Sequence, residues 1–530
     1  MIPSHHIFEE ERALVLETSD PAFVLKNVPT AFQLTPTIVG MPHDVENTAR
    51  LAVMGVQVES PITYQYRWPR ERTKIPNPFK HQIETAAFAV TNPHGYILND
   101  IGTGKSLTAA WAADYLMEAG YAHRALIVAP LSTLERVWGD TLFIHFTHRT
   151  FSVLHGAADR RRKLLAQPRD FYIVNHDGVG VIAKELAARP DIDLIIIDEI
   201  AVYRNKQTGK WKVIESLIYP DPKTGRAPKP WVWGLTGKPI PNSPEDAYGQ
   251  CRLVTPTTVP KYFTQWRAMV MDHQSTYIWT PRPEATKIVF DVMRPSIRFK
   301  RDECLDLPPA IYQTRDVELS PEQQRHYKEI NRELFTEIQG GRVTAVNEGV
   351  KLSKLLQIAC GVVYGTDGAP LEIDAGNRVE TLMEIIDQID EKVIVFVPFT
   401  AVTGMLVRQL NKFWNFAVVT GQTPVKERNQ IFSDFQNPEK DIDIIAHPGC
   451  MSHGLTLTEA STIIWYAPID SNDEYEQACG RITRPGQHYT ANIINLAGSA
   501  VERRMYKRLV ERQKVQGALL EMVERQESLV

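Results

Sequence analysis

Paired cysteines are missing from this sequence of 530 residues: Cys251, Cys304, Cys360, Cys450 and Cys479 stand far apart, with no C-x-x-C spacing and no histidine pair beside them. That pattern argues against a disulfide framework and against a zinc site. Long apolar runs are missing too. No stretch approaches the roughly eighteen residues that cross a bilayer, and Met1 to Asp20 holds no signal-peptide core. The expectation is a chain with no membrane partner, working in a reducing cytoplasm. Low-complexity tracts and short-period repeats are also absent, which sets aside solenoids and disordered linkers. Neither sign of charge dominates: 59 Lys and Arg stand against 63 Asp and Glu, so any site for a polyanion has to be a local basic cleft.

What is present is enough apolar material for large cores, in a chain too long for one of them. Two large lobes and a smaller accessory piece are expected. From about Gly95, short apolar runs alternate with helical stretches, the pattern of a parallel α/β architecture. Strands are predicted at Gly95–Asp100, Ala125–Pro130, Phe171–Asn175, Leu194–Asp198 and Trp231–Thr236, with a helix from Lys105 to about Glu118. A second series is predicted at Lys392–Val397, Phe416–Thr420, Ile442–Ala446, Thr462–Tyr466 and Asn492–Leu496. Met293–Tyr327 reads as basic and then helical, a bridge between the series. The expected boundaries are an accessory region over 1–75, a first lobe over 76–290, a helical bridge over 291–375, and a second lobe with a tail helix over 376–530.

The accessory region starts differently. Asp44 fits as the cap of a helix running to about Gly55, and the alternation of Ile62, Tyr64, Tyr66 and Trp68 predicts a half-buried strand. With Arg67, Arg70, Arg72 and Lys74, these aromatics either pack on the first lobe or contact nucleic acid. Arg160–Lys163, and Arg503 and Arg504 with Lys507 and Arg508, read as solvated helix faces.

Chemistry is concentrated at two places in the first series. The run into Gly102, Thr103, Gly104, Lys105 and Ser106 has the strand-loop-helix context of a phosphate-binding loop. Glycines admit backbone amides to phosphate oxygens, Lys105 supplies a cation and Ser106 a hydroxyl for Mg²⁺. Asn99 stands where the general loop pattern has its first glycine. About ninety residues on, the apolar run Leu194–Ile197 ends in Asp198 and Glu199. There Asp198 would serve Mg²⁺ and Glu199 would orient and deprotonate the attacking water during phosphoryl transfer.

Over roughly Phe79 to Lys507 the sequence resembles the Swi/Snf-type helicase-like ATPases of superfamily 2. Phe79–Gln82 is similar to the adenine-reading Q motif, Pro130–Leu134 with Trp138 to motif Ia, Asp198–Ala201 to the D-E-x-H box, and Leu235–Ile240 with Asn242 to motif III. Met293–Arg301 through Leu307–Pro309 resembles the family's basic bridging block. Leu355–Cys360, and Gly421 with Glu427, Arg428 and Phe435, also fit. Ser452–Leu457 resembles motif V, and Gln477–Gln487 resembles motif VI with Gln477, Arg481 and Arg484 in register. Ala201, Lys238 and Thr456 depart from the family residues but leave the phosphate lysine, both acids and both arginines in place. The compact layout is similar to bacteriophage-encoded members.

The resemblance implies an α/β fold of two tandem RecA-like lobes, their parallel sheets facing a nucleotide cleft, plus a small α+β N-terminal region. It implies ATP and Mg²⁺, with Gln82 and Gln477 at the nucleotide and Arg481 and Arg484 as arginine fingers. It implies double-stranded or branched DNA as partner, held by Ser132, Thr133, Asn175, His176, Lys238, Ser452 and His453, each of which also fits a loop-capping role. A monomer is compatible with all of this. The leading expectation is a DNA-dependent ATPase that translocates on duplex DNA. A strand-separating helicase, an RNA-dependent ATPase and a non-hydrolysing clamp are the alternatives.

Overall fold

The computed structural model describes residues 4–68, 78–219, 230–275, 278–304, 310–333, 335–338, 341–344, 348–451, 457–483, 487 and 489–509. Two compact units lie within Met1–Cys304 and Leu305–Val515. The first unit carries β1 (Ser4–Phe8), β2 (Ala13–Glu17), β3 (Phe32–Thr35), β4 (Ile38–Pro42), β5 (His94–Ile97), β6 (Arg124–Ala129), β7 (Phe151–Val153), β8 (Phe171–Asn175), β9 (Ile192–Asp198), β10 (Trp231–Leu235), β11 (Met271–Ser275), β12 (Ile278–Pro281) and β13 (Ser296–Ile297). The second carries β14 (Ala310–Asp316), β15 (Phe335–Ile338), β16 (Gly341–Thr344), β17 (Val362–Tyr364), β18 (Pro370–Glu372), β19 (Lys392–Phe396), β20 (Phe416–Val419), β21 (Asp443–Ala446), β22 (Ala460–Trp465) and β23 (Ala491–Ala497).

Each unit is built on one parallel sheet, in the order β13-β5-β10-β9-β6-β8-β7 for the first and β14-β23-β22-β19-β21-β20 for the second. Apart from the exposed edge strand β14, these strands are largely apolar because both faces are covered. Tyr96, Leu126, Val128, Ile195 and Ile197 join one core, while Ile97, Ala125, Ile127, Leu194 and Ile196 join the core on the opposite face. The second sheet repeats the division, with Val393, Val395 and Ile464 on one side and Ile394, Phe396 and Ile463 on the other. The two units are thus the expected pair of parallel α/β folds.

The N-terminal region is α+β, as expected, with an antiparallel sheet β1-β2-β4-β3 over a core of Leu14, Leu16, Val24, Val39, Met41 and Leu51. Asp44 caps helix Val45–Val53, its Oδ1 accepting from Asn47 N at 2.8 Å. The strand predicted through Ile62, Tyr64, Tyr66 and Trp68 is not formed: Ile62–Gln65 is a helical turn that follows Pro61. Alternation there reflects which aromatics are buried, not a pleat. Tyr66 donates to Asp114 Oδ2 at 2.6 Å and Trp68 meets Trp111 edge-on at 5.6 Å, so both pack on helix Lys105–Glu118. Arg70, Arg72 and Lys74 lie outside the described residues.

The basic block divides between the sheets. Ser296 and Ile297 extend the first sheet beside β5, and Ala310–Asp316 pairs along the whole of β23 in the second. In the second unit Arg378 and Glu502, 1% and 0% exposed in their side chains, form an ion pair at 2.6 Å. Arg378 also donates to the carbonyls of Tyr466 and Leu496, and Glu502 accepts from Gly498 N and Ser499 Oγ. Removing one member strands a buried charge, so Arg378→Met should cost about 3–5 kcal/mol of stability in urea denaturation.

Candidate functional site

Because every strand of the first sheet is parallel, the loops after β5, β6, β8, β9 and β10 emerge at one edge, the place where α/β folds bind ligands. Those loops contain Gly102–Lys105, Ser132 and Thr133, His176, Glu199, and Thr236 with Lys238.

The loop Gly102–Lys105 needs its glycines for two separate reasons. Gly102 and Gly104 have φ of 90° and 84°, the left-handed region that a Cβ penalises. At Gly104 a Cβ would also lie 2.4 Å from Gln82 Nε2. Helix Lys105–Glu118 starts directly from Gly104, as predicted, and its first turn carries Lys105 and Ser106. Lys105 Nζ donates to the carbonyls of Asn99 at 2.8 Å and Asp100 at 3.0 Å. Burial lowers the Lys105 pKa, against the opposing pull of Glu199, Asp198 and Asp100.

Gln82 reaches the loop from helix Lys80–Thr91. Its Oε1 accepts from Phe79 N at 3.0 Å and its Nε2 donates to Thr103 O at 3.2 Å. His81 Nε2 meets the same carbonyl at 3.0 Å, and its ring stacks on Phe79 at 5.6 Å.

Asp198 ends β9. Burial raises its pKa, while the Trp138 indole and Lys105 pull it down. Trp138 Nε1 donates to Asp198 Oδ2 at 2.9 Å. Glu199 has a φ of 54°, a left-handed conformation that costs a non-glycine residue about 1–3 kcal/mol. Its Oε2 accepts from Thr236 Oγ1 at 3.2 Å, which ties the acidic pair to the loop after β10.

The residues assigned to a DNA track are placed unevenly. Ser132 is exposed in the turn Leu131–Thr133. Thr133 is buried and donates to Pro130 O at 2.9 Å, Asn175 Oδ1 accepts from Arg161 Nη1 at 3.0 Å, and His176 Nδ1 lies 3.1 Å from Tyr203 OH. Lys238 is buried, its backbone N donating to Thr236 Oγ1 at 3.0 Å. Arg161 therefore departs from the expected solvated face; Arg160, Arg162 and Lys163 keep to it. In the second unit Gln477 and Arg481 are buried at and just beyond the end of helix Asn472–Cys479, and Leu457 N donates to Arg481 O at 3.1 Å. Ser452, His453, Thr456 and Arg484 lie outside the described residues.

A SNF2-related domain matches residues 66–360, and a helicase conserved C-terminal domain matches residues 377–486. The chain belongs to the SNF2-related family. It is a helicase-like ATPase of superfamily 2. Among its relatives, protein p41 of Acyrthosiphon pisum secondary endosymbiont phage 1 is 22% identical over 83% of this chain and 98% of its own length. The uncharacterized ATP-dependent helicase YqhH of Bacillus subtilis is 24% identical over 83% of this chain and 80% of its own. The SWI/SNF-related matrix-associated actin-dependent regulator of chromatin subfamily A-like protein 1 of Xenopus laevis is 23% identical over 84% of this chain, which spans only 44% of that protein. A solved Sulfolobus solfataricus SWI2/SNF2 ATPase core in complex with dsDNA is 20% identical, covering 85% of this chain and 95% of its own, with a TM-score of 0.38.

Several residues of this SNF2-related site escape sequence reasoning. Arg298 donates to Leu98 O at 2.7 Å and pairs with Asp100 at 2.9 Å, and Arg301 N donates to Asp100 Oδ2 at 3.1 Å. The segment Pro295–Phe299 also gives carbonyls to the amides of Tyr96, Leu98 and Asp100. Part of the basic block therefore braces the phosphate loop. No local signal marks this, because the partners are about two hundred residues apart. Trp138 is legible only as a motif residue, not as the ligand of Asp198. Among the described residues no helix is long and apolar enough to cross a membrane.

Proposed function

We propose that this SNF2-related ATPase hydrolyses ATP at the edge formed by Lys105, Asp198 and Glu199 and uses the energy to translocate on double-stranded DNA, remodelling protein–DNA or branched DNA structures. The observation that carries the reading is the convergence of the phosphate loop, its lysine and the two carboxylates at one sheet edge in a chain of this family. Lys105 would exchange the Asn99 and Asp100 carbonyls for phosphate oxygens. Gly102, Thr103 and Gly104 would present amides, with Gln82 and Gln477 at the nucleotide. Glu199 would orient the attacking water and take its proton. Arg481 and Arg484 would neutralise charge developing on the γ-phosphate.

The donor set suits Mg²⁺. Asp198 is a buried carboxylate beside the Lys105 cation, and Ser106 adds a hydroxyl at the helix start, both hard oxygen donors. Bound there, Mg²⁺ supplies charge neutralisation to the phosphate oxygens.

DNA would run over Ser132, Thr133, Asn175, His176 and Lys238 in the first unit and Ser452 and His453 in the second. Thr133, Asn175 and His176 would contribute chiefly by shaping their loops, since their side chains are already engaged. Tyr466–Asn472 leads straight into helix Asn472–Cys479, leaving no length for a strand-splitting hairpin. The expected results are ATPase stimulation by duplex DNA over RNA, ATP-driven displacement of a triplex-forming strand, and little separation of a tailed duplex. Robust unwinding of long tailed duplexes with no triplex displacement would replace translocation by strand separation.

A further inference from the structure

Asn99 is the residue at which this phosphate loop leaves the general pattern, and its side chain is 1% exposed. Its Nδ2 donates to Thr85 Oγ1 at 2.9 Å and its Oδ1 accepts from Phe299 N at 3.0 Å. Thr85 is fully buried, and its hydroxyl proton is committed to His81 O at 2.7 Å. The Thr85 oxygen can therefore only accept from residue 99, while the Phe299 N–H can only donate to it. A planar fork with one donor and one acceptor meets both demands, and among side chains of this size a carboxamide has it without taking up a proton. Aspartate offers two acceptors, one of them set against the Thr85 oxygen. Glycine leaves both partners unmet.

The three elements joined at Asn99 serve different ends of the nucleotide site. Thr85 belongs to helix Lys80–Thr91, whose His81 and Gln82 reach Thr103 O at the other end of the loop. Phe299 lies in the segment that braces β5. The backbone carbonyl of Asn99 itself accepts from Lys105 Nζ. We infer that Asn99 is a positioning residue for nucleotide selection: its carboxamide fixes the base-reading helix against the phosphate loop, so that adenine contacts contribute to binding of the triphosphate. The inference rests on the ATP site proposed above, and deepens it.

The test compares ATP with tripolyphosphate, which has the phosphates and no base. Asn99→Leu removes both bonds without adding charge, and Thr85→Val removes the acceptor from the far side at nearly constant volume. Each should raise KM for ATP about tenfold, with kcat within about twofold and the tripolyphosphate inhibition constant within about twofold. Such a loss corresponds to about 1.4 kcal/mol. The double variant should fall well short of the summed losses, since both substitutions break the bond between Asn99 and Thr85. If Asn99→Leu does not fold, Thr85→Val decides. An unchanged KM, or equal losses for ATP and tripolyphosphate, overturns the inference. Lys105→Ala separates the two levels: retained ATP binding there sinks the ATP site itself, whereas lost binding there with a wild-type KM in Thr85→Val sinks only the role of Asn99.

Discussion

Glu199→Gln should bind ATP and stall, with turnover lower by about 10²–10⁴-fold, the range of a lost general base. The amide keeps the shape of the carboxylate and can still accept from Thr236 Oγ1, now at 3.2 Å, so the left-handed turn at Glu199 is expected to persist. Only the basicity is removed. Lys105→Ala should fail earlier, at nucleotide engagement, because Lys105 is a cation that faces Asp198 and Glu199 as well as Asp100. Without it the phosphates of ATP would meet three carboxylates with less compensating charge. Equilibrium binding of a fluorescent ATP analogue beside single-turnover phosphate release distinguishes the two defects. Near-wild-type turnover in both variants would falsify the assignment of this edge as the phosphate site.

Arg484→Ala should separate binding from chemistry. ATP binding should stay largely intact and turnover should fall by about 10³-fold or more, the scale of an arginine finger. The expectation comes from the resemblance of Gln477–Gln487 to motif VI, with Gln477, Arg481 and Arg484 in register. Arg481 is a poorer probe. It is 2% exposed, so Arg481→Ala mixes lost packing with lost chemistry. Unchanged turnover with collapsed DNA affinity would move Arg484 to the DNA contacts.

Apolar runs such as Leu194–Ile197 and Lys392–Val397 by themselves determined two parallel α/β units, since a strand covered on both faces must be apolar along its length. Gly102, Gly104 and Lys105 likewise marked the candidate phosphate loop, because its left-handed glycines and its charge lie within five residues. The Asp44 cap is equally local, a carboxylate meeting an amide three residues on. Periodicity failed at Ile62–Trp68, where every second residue is apolar yet a helical turn forms. Burial of Tyr66 and Trp68 against a helix some forty residues away outweighed the local pattern.

Tertiary structure alone decided how the site is braced. Asn99 and Phe299 are 200 residues apart in sequence, as are Leu98 and Arg298, and each of those bonds joins a side chain to a backbone group. Such a bond leaves no periodic trace, since a backbone amide or carbonyl looks the same under any side chain. The sequence therefore shows which residues carry charge and which loop can cradle phosphate. The positions of those groups depend on long-range pairing of edge strand β13 with β5, which only the folded chain brings about.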